Sequence, residues 1–116
     1  MKYMLLIYTD EAKGAQVAKD VGVAQMSAPY IAYAEALQKA GVIRAGDRLQ
    51  PTSTATTVKV TDGKTQVLNG PYAETKEALA GYFMIDVPDL DAALTWAARC
   101  PGASQGAMEV RPLWPM

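Results

Sequence analysis

A chain of 116 residues with eleven Lys plus Arg, twelve Asp plus Glu and no His carries a formal charge of -1 and has room for one hydrophobic core. Half of its residues are hydrophobic and 20% are charged, the balance of a globular protein rather than a disordered or fibrous one. The even charge, without any block of one sign, lacks the electrostatic footprint of a nucleic-acid binder, so no nucleic acid is expected as a partner.

Residues 2–8, KYMLLIY, set Tyr3, Leu5 and Ile7 on one side of a strand and Met4, Leu6 and Tyr8 on the other, so both faces need cover. This six-residue apolar run is short of a signal-peptide core and of the ~20 residues that cross a bilayer, and no longer one follows. Membrane is therefore not an expected partner. Residues 9–16, with Thr9, Asp10 and Gly14, read as a loop. Val23, Met26, Tyr30, Tyr33, Leu37 and Ala40 then recur every three or four residues and predict a helix over 17–40. Pro29 lies inside it. Because the stripe keeps its phase, one kinked helix is preferred, with a fresh start capped by Ser27 as the alternative. Gly41 supplies the left-handed residue that closes it.

Residues 42–49 predict a short strand interrupted by Gly46, and PTSTA, 51–55, a polar loop. TTVKVT at 56–61, the tight-turn pair Asp62-Gly63 and the returning run 64–68 predict a hairpin. Residues 69–80 combine a Gly-Pro turn with AETKEALA, which has the propensity for one or two helical turns. GYFMIDV, 81–87, is apolar on both alternating sets, with Tyr82, Met84 and Asp86 opposite Phe83, Ile85 and Val87, and reads as a central strand. Asp89 is placed to cap a helix over 89–100 that buries Leu90, Ala93, Leu94 and Ala97, and Pro101-Gly102 stops it. Residues 107–113 form the last strand, with Pro112 at an edge or an end.

The order is strand, helix, strand, hairpin, strand, helix, strand: one α+β domain, residues 1–116, on an antiparallel sheet with both helices on one face. The second face is left apolar, which predicts a homodimer formed sheet to sheet. The alternative is cover by the loops 9–16 and 50–56.

The stretch Asn69-Gly70-Pro71-Tyr72-Ala73-Glu74-Thr75-Lys76-Glu77 resembles the DGPFAETKE signature of the DGPF-type branch of the YCII-related proteins, with changes only at Asn69 and Tyr72. The resemblance extends to the KYMLLIY start, Ala40-Gly41-Val42, Leu49-Gln50-Pro51, the hairpin, Asp89-Leu90-Asp91, Trp96-Ala97-Ala98-Arg99 and Glu109-Val110-Arg111-Pro112. It implies a ferredoxin-like fold that pairs as a dimeric α+β barrel. Some related domains are credited with a His-Asp pair, and the branch is often found beside extracytoplasmic-function sigma factors. With no histidine in this chain, the His-Asp scheme has no position to occupy.

The same absence removes the commonest general base near neutral pH and the commonest metal ligand, and no cofactor is implied. Cys100, the only cysteine, cannot close an internal disulfide, in keeping with a cytoplasmic protein. At a helix C-terminus its thiolate would oppose the dipole, so it reads as structural. Asp86, Asp89 and Asp91 lack the loop glycine and terminal Glu of a calcium site, and helix capping accounts for the latter two, so no metal is expected. The candidate ligand-binding residues are Asn69, Tyr72, Glu74, Lys76 and Glu77, and the candidate acids or bases are Glu77, Glu74 and Asp86. On the functional reading Glu77 is inward, paired with Glu74 across one helical turn and tuned by Lys76 or Asp86. On the structural reading Gly70-Pro71 is a turn, Tyr72 a core anchor and the charges a solvated helix. Arg48, Arg99 and Arg111 offer anion contacts or surface ion pairs. The expected function is small-ligand binding at this segment, with metal-independent acid-base catalysis if the ligand turns over. The alternative is a regulatory module of a sigma-factor system.

Overall fold

A computed structural model describes residues 1–115. The strand β1 (Lys2–Asp10) leads through two helices, α1 (Glu11–Val21) and α2 (Val23–Lys39), to β2 (Ile43–Arg48). A turn of 3-10 helix at Thr52–Thr54 precedes the hairpin β3 (Thr56–Thr61) and β4 (Lys64–Asn69), and β5 (Glu77–Asp86) returns to the body. The helices α3 (Leu90–Arg99) and α4 (Pro101–Gln105) and the strand β6 (Ala107–Pro112) complete the chain. The sheet runs β2-β5-β1-β6, antiparallel throughout, the ferredoxin-like arrangement, and the hairpin forms a separate two-stranded sheet.

Alternation along the strands builds the core. Tyr3, Leu5 and Ile7 of β1 and Ile85 and Val87 at the end of β5 are buried against Tyr33 and Leu37 of α2 and Ala93, Ala97 and Cys100 of the α3 segment. The helices α2 and α3 thus cover one face. Tyr33 is the keystone, edge-on to Phe83 at 5.3 Å and to Trp96 at 6.3 Å. Gly41 has φ 72 and closes α2 as a Schellman motif, its N–H donating to Gln38 and that of Val42 to Leu37.

Cross-strand partners share a face, so the register assigns the other side of the sheet to Met4, Leu6 and Tyr8, to Tyr82 and Met84, to Ala45 and Asp47, and to Glu109 and Arg111. Among the described residues, no helix contributes buried core side chains to this side of the sheet. The molecule is 18 Å in its thinnest dimension, two layers deep, and its radius of gyration of 16.0 Å exceeds the about 13 Å of a compact chain this long. Its accessible surface, 8059 Å², exceeds by about 1,900 Å² what a folded monomer of 12.4 kDa exposes.

Four expectations are corrected. The predicted loop 9–16 is the end of β1 and the first half of α1: Asp10 Oδ1 accepts the N–H groups of Ala12 and Lys13, and Glu11 holds Thr52 through its backbone N–H and its hydroxyl, both at 2.8 Å. The helix expected over 17–40 breaks at Gly22, φ 88, while α2 passes through Pro29, where both Gln25 and Pro29 are exposed and the carbonyl left without a donor faces water. AETKEALA forms no helix, because Ala78 to Ala80 extend β5 against Tyr8 and Thr9 of β1. In α3 the buried side is Ala93, Ala97 and Cys100, whereas Leu90 and Leu94 are 48% and 46% exposed. Asp89 does cap α3, accepting from the Ala92 N–H at 2.9 Å.

Candidate functional site

Where β1 passes into α1, its last residue Asp10 lies opposite Glu77, the first residue of β5. Two carboxylates thus face each other across one ladder, an arrangement that is unfavourable unless cations or a ligand offset it. Lys13, in the first turn of α1, and Lys76 flank the pair, and Gln105 at the end of α4 closes the ring around a cleft of about 310 Å³. That is the low end of the range for small-molecule sites. Asp10 is held by its capping bonds at 3.0 and 3.2 Å. Gly106 lets the segments close, since a methyl group there would collide with the Tyr8 carbonyl and come within 3.2 Å of Glu77 Oε2.

Of the residues singled out from sequence, Lys76 and Glu77 line this cleft. Asn69 ends β4 opposite Thr56 and is exposed, and Glu74 is exposed on the connection to β5. The Glu74–Glu77 helical pair does not form, because no helix is present there; Glu77 has Asp10 as its carboxylate neighbour instead. Glu77, expected to face inward, is exposed. Tyr72 is no core anchor: it is 77% exposed, with Lys59 Nζ 5.7 Å from its ring centre.

Asp86 stands at the far end of β5, about 30 Å of strand from Glu77, and cannot tune it. Its carboxylate accepts from the Met1 amino group at 3.0 Å, with Arg44 at 3.8 Å, and these partners, the amino group foremost, hold it below the usual carboxylate range. The arginines are engaged in other ways. Arg99 stacks on Trp96 at 4.3 Å, Arg111 pairs with Glu109 at 3.0 Å, and Arg48 lines a more open hollow of about 220 Å³ with Leu49, Gln50 and Pro51. Cys100 is buried, and its desolvation pushes the thiol up, away from a reactive thiolate. Among the described residues, no three His, Cys, Asp or Glu side chains converge as a metal set.

Asp10, Lys13 and Gln105 escaped the sequence reading. The available signal for the first two was Asp10-Glu11 ahead of the helix-favouring run AKGAQVAK, a cap followed by an acidic first turn. Gln105 joins the site through β6 pairing alongside β1, a long-range contact with no local mark.

The YCII-related domain model matches residues 1–116. A protein of Rhizobium meliloti (strain 1021), itself uncharacterised, is 39% identical over 118 residues, covering 97% of this chain and 92% of the relative.

Proposed function

The chain belongs to the YCII-related family, and from that premise we propose that it binds a small organic molecule in the cleft between Asp10 and Glu77, as a homodimer of the DGPF-type branch. The observation that carries this reading is the mixed-charge ring. Lys13 and Lys76 present two ammonium groups, while Asp10 and Glu77 present acceptors opposite one another. Such a ring suits a ligand with an anionic group at one end and an N–H or O–H donor at the other, which would offset the repulsion between the carboxylates. Should turnover accompany binding, Glu77 is the group placed to take a proton, because Asp10 is committed to capping α1. The branch assignment rests on NGPYAETKE, and the exposure of Tyr72 explains why a hydroxyl is tolerated where the signature usually has Phe.

The dimer is supported by the open face of the sheet, whose centre is Met4, Leu6, Tyr8 and Met84. Around that centre Lys2, Arg44 and Arg111 balance Asp47, Asp86 and Glu109, as a surface that meets its own copy requires. The surface excess of about 1,900 Å² is more than the ~800 Å² that one partner buries in a standard interface.

A thermal-shift screen of a metabolite library tests the binding reading, since a ligand of the native state raises apparent stability by mass action. Hits should lose their shift in Lys13→Ala, Lys76→Ala and Glu77→Gln, with the unliganded variants within about 1 kcal/mol of the parent. Hits that shift all three variants as they shift the parent would sink it. A second reading is favoured by the solvated signature loop with Tyr72 outward: a regulatory module of a sigma-factor system, for which the screen would return no hit.

A further inference from the structure

We infer that the hairpin Thr56–Asn69 is an arm that lies against a second copy of this chain through Val58, Val60 and Val67. The inference rests on the homodimer reading and names a surface that reading does not use. Register puts Val58 opposite Val67 and Val60 opposite Thr65, so the three valines form one apolar face, and they are 60%, 66% and 62% exposed. On the other face, Lys59 Nζ stands 5.7 Å from the centre of the Tyr72 ring. Asp62 and Gly63, φ 50 and 75, form the tight turn that fixes this register.

Each strand of the hairpin pairs only with the other. A two-stranded hairpin in water is marginal without packing on a third element, and its two open edges are ready to pair with another chain. Among the described residues nothing covers the valines, yet the sequence places valine at three of the four positions of the outward set and the β-branched Thr65 at the fourth. The occupant is a second copy because the surface excess of about 1,900 Å² is more than twice the ~800 Å² that the open sheet face would bury in a standard interface, and a radius of gyration of 16.0 Å marks a protomer with projecting parts rather than a self-contained one. The arm carries Lys59, Lys64 and Asp62 only, too little charge to select a strongly charged partner.

The test replaces the paired valines by a cross-strand ion pair, Val58→Lys with Val67→Glu, which keeps net charge and hairpin register while removing the apolar face. Light scattering over a dilution series should show the parent dimer and a dissociation constant raised at least tenfold in the variant, with unchanged far-UV circular dichroism. Hydrogen exchange at the hairpin amides of the parent should slow with concentration across the range in which the mass doubles. A variant that dimerises like the parent, or hairpin exchange that ignores concentration while the mass changes, overturns the arm but leaves the sheet-to-sheet dimer standing. A monomeric parent overturns both.

Discussion

Replacing Tyr33 by Phe isolates one hydroxyl that does two jobs. The phenol donates to the Trp96 carbonyl at 2.7 Å. That carbonyl lies in the last turn of α3, where the Cys100 N–H that would have reached it turns to Ala97 instead. Tyr33 therefore caps a helix end from another element. Its ring is 5% exposed and keeps both edge-on contacts in the variant, so the change removes the bond and leaves a part-buried carbonyl without a donor. The cost should be about 1–3 kcal/mol, or roughly 4 °C per kcal/mol in Tm for a domain of this size. Burial, then the neighbouring Cys100, push the Tyr33 phenol well above its ordinary value of 10.0, against a smaller opposing effect of Arg99. With the folded pKa raised, its stabilisation is complete below about pH 10 and declines above it, as the unfolded chain releases a proton that the folded one keeps, by up to ~1.4 kcal/mol per pH unit. Urea unfolding of parent and variant at pH 7, 9 and 11 checks this. The gap should be constant from pH 7 to 9 and narrower at pH 11, because the variant lacks the titration. A gap under ~0.3 kcal/mol at pH 7, or one that does not narrow, would refute the capping and burial roles respectively.

Gly106→Ala should destabilise by more than the about 1 kcal/mol of an ordinary substitution, since the new methyl meets the Tyr8 carbonyl and Glu77; calorimetry decides, and a neutral result would mean that α4 can shift away. The Cys100 thiol, buried and with its pKa pushed up, should react sluggishly with a disulfide reagent in the native protein and fully in urea, while Cys100→Ala leaves ligand responses intact; rapid native labelling would contradict its burial.

The parts of the fold legible in the sequence are those where one residue pattern meets one need. Tyr3, Leu5 and Ile7 alternate and are buried, Asp62-Gly63 turns the hairpin, Asp89 caps α3 and Gly41 ends α2. The first half of α1 lies outside the expected helix because none of its residues is buried, so no apolar stripe marks it; the Asp10 cap and Glu11 define it instead. AETKEALA misled through propensity: its alanines favour a helix, but Ala78 at 9% exposure fits beneath the sheet's cover, and the ladder with β1 outweighs the local preference.

The site was half legible for the same reason. Lys76 and Glu77 belong to a segment conspicuous in sequence, whereas Asp10 stands 67 residues before Glu77 and Lys13 stands 63 before Lys76, and they become neighbours only through the β1–β5 register. That register contains a shift between Ile7 and Tyr8, so Tyr8 pairs with Leu79 rather than Ala80. Had the register run on without that shift, Asp10 would stand opposite Ala78 and Glu77 would lie beyond the end of the ladder. The irregularity brings two carboxylates level at the sheet's rim, where bulges commonly re-aim side chains beside functional sites. The candidate chemistry is thus set by a one-residue offset in pairing, which no local pattern in either strand records.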